Sequence, residues 1–223
     1  MTKTVIFDLD GLLVDSEMMG YEICKHFIEQ QGGTLSVRDY AENYCGHTAV
    51  SNITRVINEY GVTDSLDECL TKMRAIEAEY IKRGIPLKKG ARELLRYLKE
   101  HGIKIYLASS STKGRAYTLL DQNGIDGFFD DGVFGNEVEH SKPAPDIFLK
   151  ACEKAKTPAG ECLVLEDSEA GIRAAHAAGI PVICVPDLKQ PSDEARKMAK
   201  AVLPSLEAVI DILKSGPPAK PEV

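Results

Sequence analysis

The sequence predicts an α/β protein whose core is a doubly wound parallel sheet, with an all-helical subdomain inserted behind the first strand. Three observations carry this. After Lys88, short apolar runs alternate regularly with helix-patterned segments, the signature of strand-helix-strand units. Between Glu17 and about Gly84 the apolar residues recur only at helical spacing. The second plausible strand, Ile103 to Ala108, follows the first, Val5-Ile6-Phe7, only after that whole helical block, whereas a parallel crossover needs about a dozen residues.

Each element has its own warrant. Val5-Ile6-Phe7 is a short, strand-favouring apolar run that ends in Asp8-Leu9-Asp10-Gly11, two acids and a turn residue. In the helical block, Ile23, Phe27 and Ile28 share one face, as do Ile53, Val56, Ile57 and Tyr60, and again Leu66, Leu70, Met73, Ile76 and Tyr80. Gly61 is placed to terminate the second of these helices, and Ser65-Leu66-Asp67-Glu68 has the form of a capping box opening the third. Gly84 and Pro86 interrupt the helical pattern and mark the return to the core.

Beyond Lys88, Leu94, Leu95 and Leu98 define a helix ending near Gly102, and Ile103 to Ala108 a strand. A helix around Arg115 to Gln122, a short strand at Val133-Phe134 and a helix from about Pro145 to Ala155 follow. Then come the strand Cys162 to Leu165, an alanine-rich helix from Ser168 to Ala178 stopped by Gly179, and the buried strand Val182 to Val185. Ala201 to Leu203 is expected as an edge strand and Leu206 to Leu213 as a closing helix. The expected domains are a core of residues 1–15 and 86–214, a helical subdomain of 16–85 and a disordered tail of 215–223, rich in proline.

Composition narrows the function. With 223 residues and 43% hydrophobic side chains the chain can bury a substantial core. Its net charge of -7 and the lack of any basic cluster beyond Lys88-Lys89 argue against nucleic acid or an anionic membrane as partner. Cys24, Cys45, Cys69, Cys152, Cys162 and Cys184 form no C-x-x-C pair and are expected to be reduced, buried thiols. The N-terminus has neither the form of a signal peptide nor that of a membrane span, so a cytoplasmic location is expected. A monomer is the expected state and a small molecule the expected partner.

Chemistry concentrates at the strand ends. In open parallel sheets ligands bind beyond the carboxyl ends of the strands. Asp8 and Asp10 follow the first strand, and Ser109-Ser110-Ser111 follow the second as a hydroxyl and N–H cluster suited to an oxyanion. Lys142 stands in a loop before a proline-started helix, and Glu166-Asp167 follow a further strand. Four convergent acids repel one another unless a cation neutralises them, and an all-oxygen donor set suits Mg²⁺. Lys142 is the other countercharge. Together these are the parts that phosphoryl transfer requires.

In order along the chain, Asp8-x-Asp10, Ser109, Lys142 in Lys-Pro-x-Pro-Asp and Glu166-Asp167 resemble the four motifs of the haloacid dehalogenase superfamily, whose core is Rossmann-like. The helical insert resembles the cap of the branch holding β-phosphoglucomutase and phosphoglycolate phosphatase. The resemblance implies a Mg²⁺-dependent phosphatase acting on a small phosphorylated metabolite, such as a sugar or polyol phosphate, through an aspartyl phosphate. It implies Asp8 as nucleophile and Asp10 as general acid and base. It further implies Ser109, Ser110 and Lys142 as phosphate ligands, and Asp8, Asp10, Glu166 and Asp167 as the metal site. Gly46, His47 and Thr48 are the expected specificity turn of the cap. The alternative is a mutase similar to β-phosphoglucomutase, but Gly20 stands where such a mutase carries a cap histidine, and no arginine lies between Arg38 and Arg55.

Overall fold

The computed structural model describes residues 2–215. They fall into two compact units, one of residues 2–14 and 86–215 and one of residues 15–85. The expected tail lies outside the described residues from 216 onward, and Ser215 closes the last helix.

The larger unit is built on six parallel strands: β1 (Thr4–Phe7), β2 (Lys104–Ser109), β3 (Asp131–Phe134), β4 (Cys162–Glu166), β5 (Val182–Cys184) and β6 (Ala201–Val202). Their order is β3-β2-β1-β4-β5-β6, so the first strand is central and the direction of winding reverses beside it. The register sets Phe7 opposite Leu107 on one side and Leu165 on the other. All four residues of β1 are buried, as a strand covered on both faces requires.

Residues of alternate parity serve the two faces. Ile6, Tyr106, Ala108, Val133, Val164, Val182 and Cys184 share one cluster with apolar side chains of α7 (Asp146–Ala155), α8 (Glu169–Ala177) and α9 (Asp193–Met198). On the other face β2 packs against α5 (Ala91–Glu100), which in turn packs against α10 (Leu206–Ser215). Leu94, Leu95 and Leu98 of α5 are fully buried, as their spacing predicts. The helix following β2 is α6 (Lys113–Gln122).

The smaller unit holds α1 (Glu17–Gln30), α2 (Val37–Asn43), α3 (Ala49–Tyr60) and α4 (Leu66–Arg83), with α1, α3 and α4 packed on one another. Its buried residues include Ile23, Phe27, Ile28, Tyr40, Ile53 and Val56. Gly61 adopts the left-handed conformation after α3, and Ser65 and Glu68 form both halves of the capping box of α4. The helices α2 and α9 were not anticipated. Each spans about two turns or fewer, too short for an apolar period to stand out, and each is marked mainly by its serine cap, Ser36 or Ser192.

Among the described residues no helix is long and apolar enough to cross a membrane. All six cysteines are free and buried.

Candidate active site

The turn after β1 is short because its backbone folds back on itself. Leu13 and Val14 N–H both donate to the carbonyl of Leu9, and Gly11 N–H donates to Val14 O at 3.0 Å. Gly11 has φ of 77°, and a Cβ there would lie 2.4 Å from Oδ2 of Asp167. Only glycine meets both demands, the left-handed backbone and the close approach of a carboxylate. Asp167 is thereby laid over the Asp8-Asp10 turn.

Asp8 is 8% exposed and its N–H donates to Leu165 O at 3.0 Å, which ties the start of the turn to β4. Its Oδ1 accepts a 2.5 Å hydrogen bond from Lys142 Nζ. The same ammonium donates to Oε1 of Glu166 at 2.7 Å and to the carbonyl of Ala108 at 3.0 Å, so its three N–H bonds are aimed at Asp8 just beyond β1 and at groups of β2 and β4. The Phe148 ring lies under it, with Nζ 5.0 Å from the centroid. The other oxygen of Glu166, Oε2, accepts from Asp167 N–H, Ser168 N–H and Ser168 Oγ. Glu166 therefore has both oxygens engaged by protein donors, one by Lys142 and the other at the start of α8.

Electrostatics follow from this burial. Desolvation is the largest influence on Asp8 and raises its carboxyl to about 7, with Lys142 opposing the rise and Glu166 and Asp10 adding to it. Burial alone would lower Lys142, but the carboxylates of Asp8 and Glu166 outweigh it and hold the ammonium above the ordinary lysine range. Burial would likewise raise Glu166, yet Lys142 and the donors of Ser168 bring it below the usual carboxylate range. One ammonium thus serves two buried carboxylates, and Glu166 has the donors of Ser168 besides.

Asp10 is held from a different side. Ser111 Oγ donates to its Oδ2 at 2.9 Å, and Nη1 of Arg115 lies 2.9 and 2.8 Å from its two oxygens. Ser109 is 1% exposed, and its Oγ accepts from Ser111 N–H at 3.1 Å. Ser110 is exposed, with its carbonyl pressed toward Gly135, where a Cβ would sit 2.2 Å from that oxygen. Asp187, beyond β5, ion-pairs with Lys88 at 2.6 Å, and its Oδ2 lies 3.5 Å from the position of a Cβ on Gly11.

Asp8, Asp10, Lys142, Glu166 and Asp167 are thus gathered on one sheet edge. Gly46, His47 and Thr48 belong to the helical unit, where Gly46 takes a positive φ and Thr48 caps α3 by accepting from Ser51 N–H. Three participants escaped sequence reasoning: Ser111 as a partner of Asp10, Arg115 and Asp187. The signal for Asp187 was present, since Val185-Pro186-Asp187 is one more strand end carrying an acid. Arg115 carries none, being a helix arginine like several others until β2 and β1 are known to be neighbours.

Among the described residues no three carboxylate, imidazole or thiol side chains converge into a ready-made metal cage. The site nonetheless fits a small hard cation. Asp8 is a carboxyl raised chiefly by its burial, Asp167 leans over the same turn, and every carboxylate donor is oxygen.

Comparison with known proteins agrees with this architecture. The profile of the haloacid dehalogenase-like hydrolase family matches residues 5–185. The chain is 31% identical over 189 residues to the bifunctional riboflavin kinase/FMN phosphatase of Arabidopsis thaliana, covering 84% of this chain but only 49% of that protein, about half its length. It is 29% identical over 178 residues to the phosphorylated carbohydrates phosphatase of Thermotoga maritima, covering 80% of this chain and 82% of that one. A conserved haloacid dehalogenase-like protein from Agrobacterium tumefaciens superposes with a TM-score of 0.84 at 25% identity, over 96% of this chain and 99% of the other. A profile that runs from β1 to the end of β5, and so spans all four acidic, hydroxyl and amine strand ends, makes this chain a member of the haloacid dehalogenase-like hydrolase family.

Proposed function

We propose that the chain is a Mg²⁺-dependent phosphatase that hydrolyses a small phosphate monoester, of sugar or polyol type, through an aspartyl phosphate on Asp8. The observation that carries this reading is the buried chain of contacts Asp8–Lys142–Glu166 beside a separately held Asp10. It offers one carboxylate as nucleophile, one fixed cation for phosphoryl oxygens and a second acid for protons. The family and its relatives named as phosphatases support the same class of chemistry.

In this reading Asp8 attacks phosphorus, and Asp10 gives its proton to the leaving oxygen. Asp10 then takes a proton from the water that cleaves the aspartyl phosphate. Lys142, Ser109 and the N–H groups around Ser110 hold the phosphoryl oxygens. Asp8, Asp167 and the backbone carbonyl of Asp10 would hold Mg²⁺, which when bound neutralises charge gathering on the phosphoryl group. Glu166 is proposed to serve the metal indirectly. Its oxygens are engaged by Lys142 and Ser168, and its direct work is to orient Lys142.

Phosphate release from a panel of phosphorylated sugars, polyols and nucleotides tests the reading, with Asp8→Asn as control. The nearly isosteric variant should lose several orders of magnitude in turnover. Substantial retained turnover would remove Asp8 as nucleophile. The mutase alternative is tested with β-glucose 1-phosphate and a catalytic amount of glucose 1,6-bisphosphate, where glucose 6-phosphate as main product would replace the hydrolase reading.

A further inference from the structure

A group that delivers a proton to a leaving oxygen must present one carboxyl oxygen along a fixed direction, and a carboxyl on a glycine-containing turn has no such direction of its own. Asp10 stands on a turn of this kind and its side chain is 30% exposed. What fixes it comes from the neighbouring strand's end and the helix behind it. Ser111 Oγ donates to Oδ2, Arg115 Nη1 reaches both oxygens, and the same Nη1 lies 2.7 Å from Ser111 Oγ, closing a ring of three groups. Ser111 precedes the N-cap of α6 and Arg115 lies in its first turn, and their hydrogen bond makes the serine hydroxyl and the guanidinium approach Asp10 as a unit. The guanidinium is planar, permanently charged and itself only 20% exposed, so it holds a direction that a mobile surface lysine would not.

The geometry points to Arg115, acting with Ser111, as the positioning residue that aims the Asp10 carboxyl group at the leaving oxygen. The inference rests on the phosphatase reading. Arg115 keeps its proton throughout. In the first step the Asp8–phosphorus bond forms, the bond from phosphorus to the leaving oxygen breaks, and that oxygen takes the proton of Asp10. In the second step water adds to phosphorus, the Asp8–phosphorus bond breaks, and the proton of that water returns to Asp10.

Misaiming a general acid hurts poor leaving groups most, because good ones depart without a proton. The test is therefore kcat/KM across substituted phenyl phosphates, from 4-nitrophenyl to 4-methoxyphenyl, with Mg²⁺. This ratio reports only steps up to release of the phenol, so changes in hydrolysis of the phosphoenzyme do not enter it. Arg115→Ala should lose about tenfold more on the 4-methoxyphenyl ester than on the 4-nitrophenyl ester. Arg115→Lys should recover part of that difference, and it carries the test alone if the alanine variant fails to fold. Equal losses across the series would mean a merely structural arginine and would overturn the inference. Asp10→Asn, measured in parallel, separates the two levels of the argument. If it steepens the leaving-group dependence and the Arg115 variants do not, the positioning role alone is overturned. If Asp10→Asn does not steepen it either, the acid role of Asp10 falls and the inference falls with it.

Discussion

Replacing Gly171 by alanine asks how tightly the buried carboxylate of Glu166 is held. A Cβ at this position would lie 1.9 Å from both Cδ and Oε1 of Glu166 and 2.4 Å from Oε2, well inside an ordinary carbon contact of about 3.5 Å. Glu166 has little freedom to yield, being 1% exposed, bonded to Lys142 through Oε1 and to Asp167 and Ser168 through Oε2. In an open helix the change would stabilise by about 1 kcal/mol. Here it forces the carboxylate off its donors. Overpacking costs about 1–3 kcal/mol and separating a buried charge pair about 3–5 kcal/mol, so after the helix-propensity gain the net loss should be roughly 3–7 kcal/mol. Urea unfolding gives that loss directly, and the melting temperature should drop on the order of 10 °C. Turnover of 4-nitrophenyl phosphate should fall with it, since Lys142 follows Glu166. Adding Glu166→Asp, one methylene shorter, should restore part of the stability. A Gly171→Ala protein as stable as the wild type would refute the reasoning, because it would show that helix propensity outweighs the overlap and that Glu166 has room to move.

Two further outcomes follow from the acids themselves. Chelation by EDTA should abolish phosphate release and Mg²⁺ restore it, whereas Ca²⁺, larger and preferring more ligands, should inhibit; full activity in chelator would sink the metal assignment to Asp8, Asp10 and Asp167. Asp8 also makes the metal-free protein sensitive to pH. Its carboxyl is raised from 3.8 to about 7 in the fold, so the folded state binds the proton more tightly, and this contribution to stability is full below about pH 4 and lost as pH rises toward 7. The decline, at most about 1.4 kcal/mol per pH unit, should vanish in Asp8→Asn. Urea unfolding in EDTA at pH 5 and pH 7 checks it, and parallel behaviour of the two proteins would count against the buried, raised carboxyl.

The parts of the site that sequence made legible share one property: each closes a strand or stands directly after one. Asp8, Ser109, Glu166 and Asp167 are found by knowing only that the sheet is parallel, because that alone puts all strand ends on one edge. Lys142 needed the resemblance as well, since nothing local distinguishes it from a solvated lysine. Arg115 and the Ser111 contact lay beyond reach because they depend on β1 and β2 being adjacent, which strand order decides and local pattern does not. The same holds for Gly171. Its role is to leave space for a side chain five positions earlier, and an alanine-rich helix gives no hint of it.

The central place of β1 has a consequence for how the chain comes together. Thr4 pairs with Lys104 on one side and with Cys162 on the other, so the first strand made is the one that waits longest for both its neighbours. During synthesis the four helices of residues 15–85 emerge complete while Val5, Ile6 and Phe7 still have no sheet to join. Pairing across such distances in sequence closes large loops before it is rewarded, which makes assembly of the sheet the slow event of folding. Brevity limits the hazard: β1 is only four residues long and is followed at once by Asp8 and Asp10, charges that discourage an unpaired apolar strand from joining another chain's edge. The two acids proposed for chemistry would then also guard the nascent chain.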